Sequence, residues 1–87
     1  MHVITRKRLL EFSKMHPECR HALNNWYKLV KRSDFKSIDD LRKTFQSADQ
    51  VGKRTVFNIG GNKVRLITGI HYNRGKLYIL HVLTHDE

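Results

Sequence analysis

From residue 54 to residue 84 the chain alternates apolar and other side chains on a two-residue period, broken by the Gly60-Gly61-Asn62 triplet and by "NRGK" at 73 to 76. That period belongs to an extended strand with one buried face, and glycine and asparagine accept the positive φ that a tight reversal needs. The pattern therefore specifies strands over 54 to 59, 64 to 72 and 77 to 84, joined by two hairpins. "VFNIGGNKVRLI" also invites a phosphate-loop reading, but it lacks the G-x-x-x-x-G-K-[ST] spacing and leads into alternating residues where a phosphate loop would open a helix.

If both hairpins close without a bulge, Phe57, Ile59, Val64, Leu66, Ile70, Leu77, Ile79 and Leu83 share one face. Arg54, Asn58, Arg65, His71 and Tyr78 share the other, accompanied by the apolar Val56, Ile67, Leu80 and Val82. In that register Arg65 lies between Asn58 on one neighbouring strand and Thr84 on the other, with His85 just past the strand end.

The period before residue 46 is helical. "HVIT" reads as a short strand and Thr5 as the cap of a helix carrying Leu9, Phe12 and Met15. Pro17 suits the first turn of a second helix, where Cys19, Ala22, Leu23, Trp26, Leu29 and Val30 recur at three- and four-residue steps. Cys19 and Trp26 sit in that apolar stripe, which makes them core residues, not a nucleophile and a stacking platform. "SIDD" at 37 to 40 has the form of a capping box ahead of a short helix with Ile38, Leu41 and Phe45. A loop containing Ser47, Asp49 and Gly52 follows.

The expected fold is α+β, a single domain over residues 1 to 87 with two to three N-terminal helices on one face of a mainly antiparallel sheet of three to four strands. Seventeen Lys and Arg stand against eight Asp and Glu, a formal charge of +9, which points to a polyanionic partner, nucleic acid before acidic protein. From Val51 to His85 there are six basic residues and no acidic one, so the uncompensated field belongs to the sheet. One cysteine leaves no internal disulfide, and Arg6, Lys7 and Arg8 break the first apolar run, so the expectation is a cytoplasmic protein without secretory leader or membrane span. His81 and His85 are four apart, but on a strand that is about 13 Å, too far for one ion, and neither metal nor cofactor is expected.

RNA cleavage without a metal needs a base for the 2′-hydroxyl proton, cations for the charge growing on the phosphate, and an acid for the leaving oxygen. Arg65 can grip a phosphate bidentately, Lys53 or Arg54 can add a second charge, and His85 titrates in the right range. No carboxylate is expected on the sheet before Asp86.

The runs "ALNNWYKLVKRSDFKSIDDLRKTF", "VFNIGGNKVRLI" and "THDE" resemble, in order and spacing, the HigB family of toxins of bacterial toxin-antitoxin systems, within the RelE and ParE superfamily. The resemblance implies a RelE-like fold and cleavage of messenger RNA on the translating ribosome. It also implies a helix-turn-helix antitoxin, HigA, through whose complex alone the toxin meets DNA. The matching positions are Asn58, Gly60, Gly61, Asn62, Lys63, Arg65, Thr84, His85 and Glu87. Arg65 is then expected to stabilise the phosphate and His85 to act as general acid or base. Lys53, Arg54, Asn58, Lys63 and Thr84 are expected to contact RNA, Lys53 and Arg54 matching only in being basic. Family members continue past this motif with Tyr-Asp and a short tail, and a superfamily tyrosine there meets the RNA base; this sequence ends at Glu87. Two other readings stay open on the residues alone: a non-catalytic basic module that binds antitoxin or nucleic acid, and a gyrase poison of the ParE branch.

Overall fold

The computed structural model describes residues 1–61 and 63–84. Strand β1 (His2–Ile4) leads into helix α1 (Lys7–Met15), and a 3-10 turn opened by Pro17 runs into α2 (Arg20–Arg32) and then α3 (Ile38–Thr44). Strands β2 (Asp49–Val51), β3 (Arg54–Ile59), β4 (Val64–His71) and β5 (Lys76–Thr84) complete one sheet in the order β1-β5-β4-β3-β2. β1 runs parallel to β5 and every other neighbouring pair is antiparallel. The α+β architecture and its three helices agree with the reading from sequence, but the sheet has five strands, not three to four.

The extra strand is β2, in the stretch expected to be a loop. Its three residues are all exposed, so it shows no alternation, and it exists because a two-residue turn at Gly52-Lys53 folds it back onto β3.

The helices lie on the face that carries Phe57, Ile59, Val64, Leu66, Leu77 and Ile79. Cys19, Leu23, Trp26 and Val30 are buried as the helical stripe requires, whereas Met15 is 78% exposed, since α1 ends there. Aromatic rings bind the helices to β3: Phe57 meets Trp26 of α2 edge to face at 5.3 Å and Phe45, just past α3, at 5.3 Å, and Phe45 meets Phe35 at 5.9 Å. Thr55 and Thr68 are the buried polar residues of this face, and the Thr68 hydroxyl donates to the Thr55 backbone carbonyl at 2.8 Å.

Ser37 caps α3 as expected, its Oγ accepting from the Asp40 amide at 3.2 Å, while the Asp40 carboxylate accepts from the Lys36 amide and not from that of Ser37. Thr5 caps nothing. Its φ of 67° turns the chain out of β1, and its hydroxyl donates to the Ile79 carbonyl at 2.8 Å and accepts from the Ile79 amide at 3.2 Å, fastening the end of β1 to β5.

The Gly60-Gly61 reversal is the hairpin turn that the sequence specifies, with φ of 65° and 66°, and β4 opens at Val64. A Cβ on Gly60 would lie 3.5 Å from the Ala22 Cβ, so the turn also packs close against α2. Asn62 lies outside the described residues. Asn58 faces Arg65 as expected.

The second hairpin does not close regularly. Ile67 pairs with His81 and Thr68 with Ile79, so Leu80 is extra, a β-bulge that shifts the rest of β5 by one residue. The hairpin closes at His71 and Lys76, which alone would set Arg65 opposite Val82; the bulge makes that partner Leu83, not the expected Thr84, and pairs Thr84 with the inward Val64. Val82, not Leu83, packs against the core. No helix among the described residues is long and apolar enough to cross a membrane.

Two measurements check this packing and register. Phe57→Ala empties the aromatic contact and is expected to cost about 3–5 kcal/mol in urea unfolding, a large part of a total stability of about 5–15 kcal/mol. Cysteines at 65 and 83 are expected to form a disulfide on mild oxidation, while cysteines at 65 and 84, on opposite faces, are not.

Candidate nucleic-acid interface

The face of the sheet turned away from the helices carries the cations. Its side chains fall in rows set by the strand pairing: Asn58, Arg65 and Leu83, then Asp49, Val56, Ile67 and His81. Farther along come Val51, Arg54, Gly69, Tyr78 and Ile4, and last His71, Lys76 and His2.

Arg54, Asn58 and Arg65 come together around a cleft of about 380 Å³ whose floor is Val56 and Ile67 and whose edge is Asp49 and Val51. Arg54 is exposed and Arg65 half-buried, and neither is within ion-pair distance of a carboxylate among the described residues. Two guanidinium groups on an apolar floor, without an ion-pair partner among the described residues, attract a phosphate: each can bind it bidentately, and the low-dielectric floor strengthens the attraction. The Asn58 side chain, directly across from Arg65, adds neutral hydrogen-bonding capacity.

The remaining expected residues divide. Lys53 sits exposed in the β2–β3 turn and Lys63 exposed just before β4, and neither lines the cleft. Thr84 is placed on the helix side by the bulge, away from Arg65. His85 lies outside the described residues, as do Asp86 and Glu87.

Asp49 is the residue that the sequence reading missed. It pairs with Val56 and lines the arginine cleft, so the sheet does carry a carboxylate there. Its only sequence signal was a position shortly before a glycine turn, too weak to show that a strand precedes the turn. Asp49 is the one acidic residue among the described residues of this face.

A larger hollow of about 800 Å³ lies along α1 and α2, over Leu9 and Leu23 and rimmed by Arg6, Lys14 and Arg20, with no residue of the arginine face in its lining. Burial pushes the Tyr72 phenol above its ordinary value, and that ring packs against the core. No three His, Cys, Asp or Glu side chains converge on a point among the described residues.

Residues 19–87 match the HigB toxin family, described as the RelE-like toxic component of a toxin-antitoxin system. Aligned over its whole length, the chain is 32% identical to the mRNA interferase toxin HigB of Escherichia coli strain K12, of which it covers 86%. It is 32% identical, at the same coverage, to the mRNA interferase HigB of Escherichia coli O157:H7. Against the mRNA interferase HigB of Escherichia coli O6:H1 the identity is 28%, with 87% of that relative covered. The match takes in α2, α3, β2 and both hairpins, including Arg54, Asn58 and Arg65, and the chain belongs to the HigB family of RelE-like toxins.

Proposed function

We propose that this toxin is an mRNA interferase, an endoribonuclease that cuts messenger RNA on the translating ribosome by metal-independent transesterification. The carrying observation is the collection of Arg54, Asn58 and Arg65 around one cleft on the sheet face away from the helices, with no carboxylate in ion-pair reach among the described residues. The Escherichia coli relatives, mRNA interferases by name, support the same reading.

In the proposed reaction the ribose 2′-hydroxyl gives up its proton and attacks the adjacent phosphorus. The bond from phosphorus to O5′ breaks, and O5′ departs with a proton, leaving a 2′,3′-cyclic phosphate and a 5′-hydroxyl. Arg65 holds the scissile phosphate and meets the charge that grows on its oxygens. Arg54 holds phosphate at the other end of the cleft, and Asn58 orients the strand beside Arg65. His85 moves a proton to or from the reacting oxygens, its imidazole being the group suited to that task near neutral pH. Lys53 and Lys63, outside the cleft, add long-range attraction for the RNA backbone.

The partner that neutralises the toxin is proposed to be a helix-turn-helix antitoxin of the HigA type, supported by the family's place in a toxin-antitoxin system. DNA then meets the toxin only as part of that complex. The proposed setting is the bacterial cytoplasm, where translating ribosomes are found.

Primer extension on messenger RNA, with purified ribosomes present or withheld, tests the proposal. Arg65→Ala is expected to slow cleavage roughly 10²–10³-fold, and His85→Ala roughly 10²–10⁴-fold. Arg54→Ala is expected to act mainly on KM and to reduce the dependence of log KM on log salt by about one unit. Thr84→Ala, on the helix side, is expected to leave cleavage nearly unchanged. Growth arrest with intact messenger RNA contradicts the proposal.

A further inference from the structure

The arginine face does not end at the cleft. Four residues along β4 from Arg65, about 13 Å away, stands Gly69, the one position of that strand's outward side without a side chain. A Cβ there would lie 3.8 Å from Arg54 Nη1 and 3.7 Å from Leu80 Cδ1, so the Arg54 guanidinium reaches across onto β4 and the bulged Leu80 leans in from β5. Directly across from Gly69 on β5 is Tyr78, half-buried, and the exposed imidazole of His71 meets its ring edge to face at 5.3 Å. Lys76, paired with His71, and His2 beyond it extend the basic character past the aromatic pair.

A cross-strand aromatic pair stabilises a hairpin wherever it occurs, which is sufficient reason for the His71 and Tyr78 contact taken alone. Its surroundings ask more of it. These rings stand on the cationic, helix-free face, and Arg54 belongs both to the wall of the cleft and to the neighbourhood of Gly69 beside them. Cations that track a backbone, followed by an aromatic ring at the same level, form the arrangement on which single-stranded nucleic acid lies, phosphates on the cations and a base on the ring.

We propose that Tyr78, with His71 at its edge, is a second station for the substrate RNA, stacking the base of a nucleotide that is not the one being cut, while Arg54 holds the phosphate between that base and Arg65. The occupant is single-stranded RNA, by charge complementarity with this face and by continuity with the arginine cleft. This inference rests on the RNA-cleaving function proposed above, and it adds a position at which the enzyme senses the base. Tyr78 touches substrate in this account but no reacting atom, so it is a binding and positioning residue.

The test measures binding of short, fluorescein-labelled, single-stranded 2′-O-methyl oligoribonucleotides, which lack the nucleophilic hydroxyl and stay intact. A set carrying one abasic nucleotide at successive positions is titrated against the parent protein, Tyr78→Leu and Tyr78→Phe. In the parent, one abasic position away from the Arg65 phosphate is expected to weaken binding by roughly tenfold. That penalty should disappear in Tyr78→Leu and return in Tyr78→Phe, which keeps the ring, and the salt dependence of binding should be the same in all three because no charge changes.

The abasic scan on the parent needs no folded variant, and a flat scan on a parent that binds RNA overturns the platform while leaving the cleft reading intact. A position-specific penalty that persists in Tyr78→Leu also overturns it. Failure of the parent to bind any of these oligonucleotides, at low salt, overturns the platform and the RNA reading together.

Discussion

Phe57, caught edge to face between Trp26 and Phe45, decides which way β3 faces. A strand has two sides and no freedom to mix them, so a buried Phe57 sends Val56 and Asn58 outward, and cross-strand pairing sends Arg65 and Ile67 outward with them. The ring contact is apolar and distant in chemistry from any phosphate, but a slip of one residue at β3 would bury Arg65 and expose Leu66. The Gly60-Gly61 turn holds the same register from the other end, packed on Ala22. Stability and function here are two consequences of one alignment.

Much of this was legible in the sequence because the signals are local and repeated. Alternation through 54 to 70, glycines at a reversal and a helical stripe through Cys19, Trp26 and Val30 each follow from short-range geometry, and the pairing of Asn58 with Arg65 came directly from the turn. The bulge at Leu80 was not legible, because "LYILHVL" is apolar on both parities and gives no sign of which residue is extra. That single residue moved Leu83 beside Arg65 and turned Thr84 to the other side. Strand β2 was hidden for another reason: it is three exposed residues whose only cause is the hairpin they pair into. Thr5 misled because a hydroxyl before a helix suits a cap, and here the tertiary partner Ile79 claimed it.

The missed strand matters to the site. β2 brings Asp49 to the wall of the arginine cleft and extends the apolar floor toward the sheet edge with Val51. The cleft is thus a mixed surface, cations at both ends, one carboxylate at its edge and Val56 and Ile67 beneath. Such a floor holds water loosely, so a phosphate and its neighbouring base can displace it at low cost while the guanidinium groups keep their charge. Cations without an ion-pair partner among the described residues lower the stability of the fold by mutual repulsion and keep their attraction for an incoming polyanion, the exchange expected of a binding face.

The proposed function puts RNA on the helix-free face of the sheet and not along the α1–α2 groove, whose rim is also basic. Titration of the ¹⁵N-labelled protein with a short single-stranded 2′-O-methyl oligoribonucleotide, followed by amide chemical shifts, tests it most directly. Shifts are expected on Arg54, Val56, Asn58, Arg65, Ile67 and Gly69, with the amides of α1 and α2 nearly still. Shifts centred on Leu10, Lys14 and Arg20, with β3 and β4 unmoved, would contradict it.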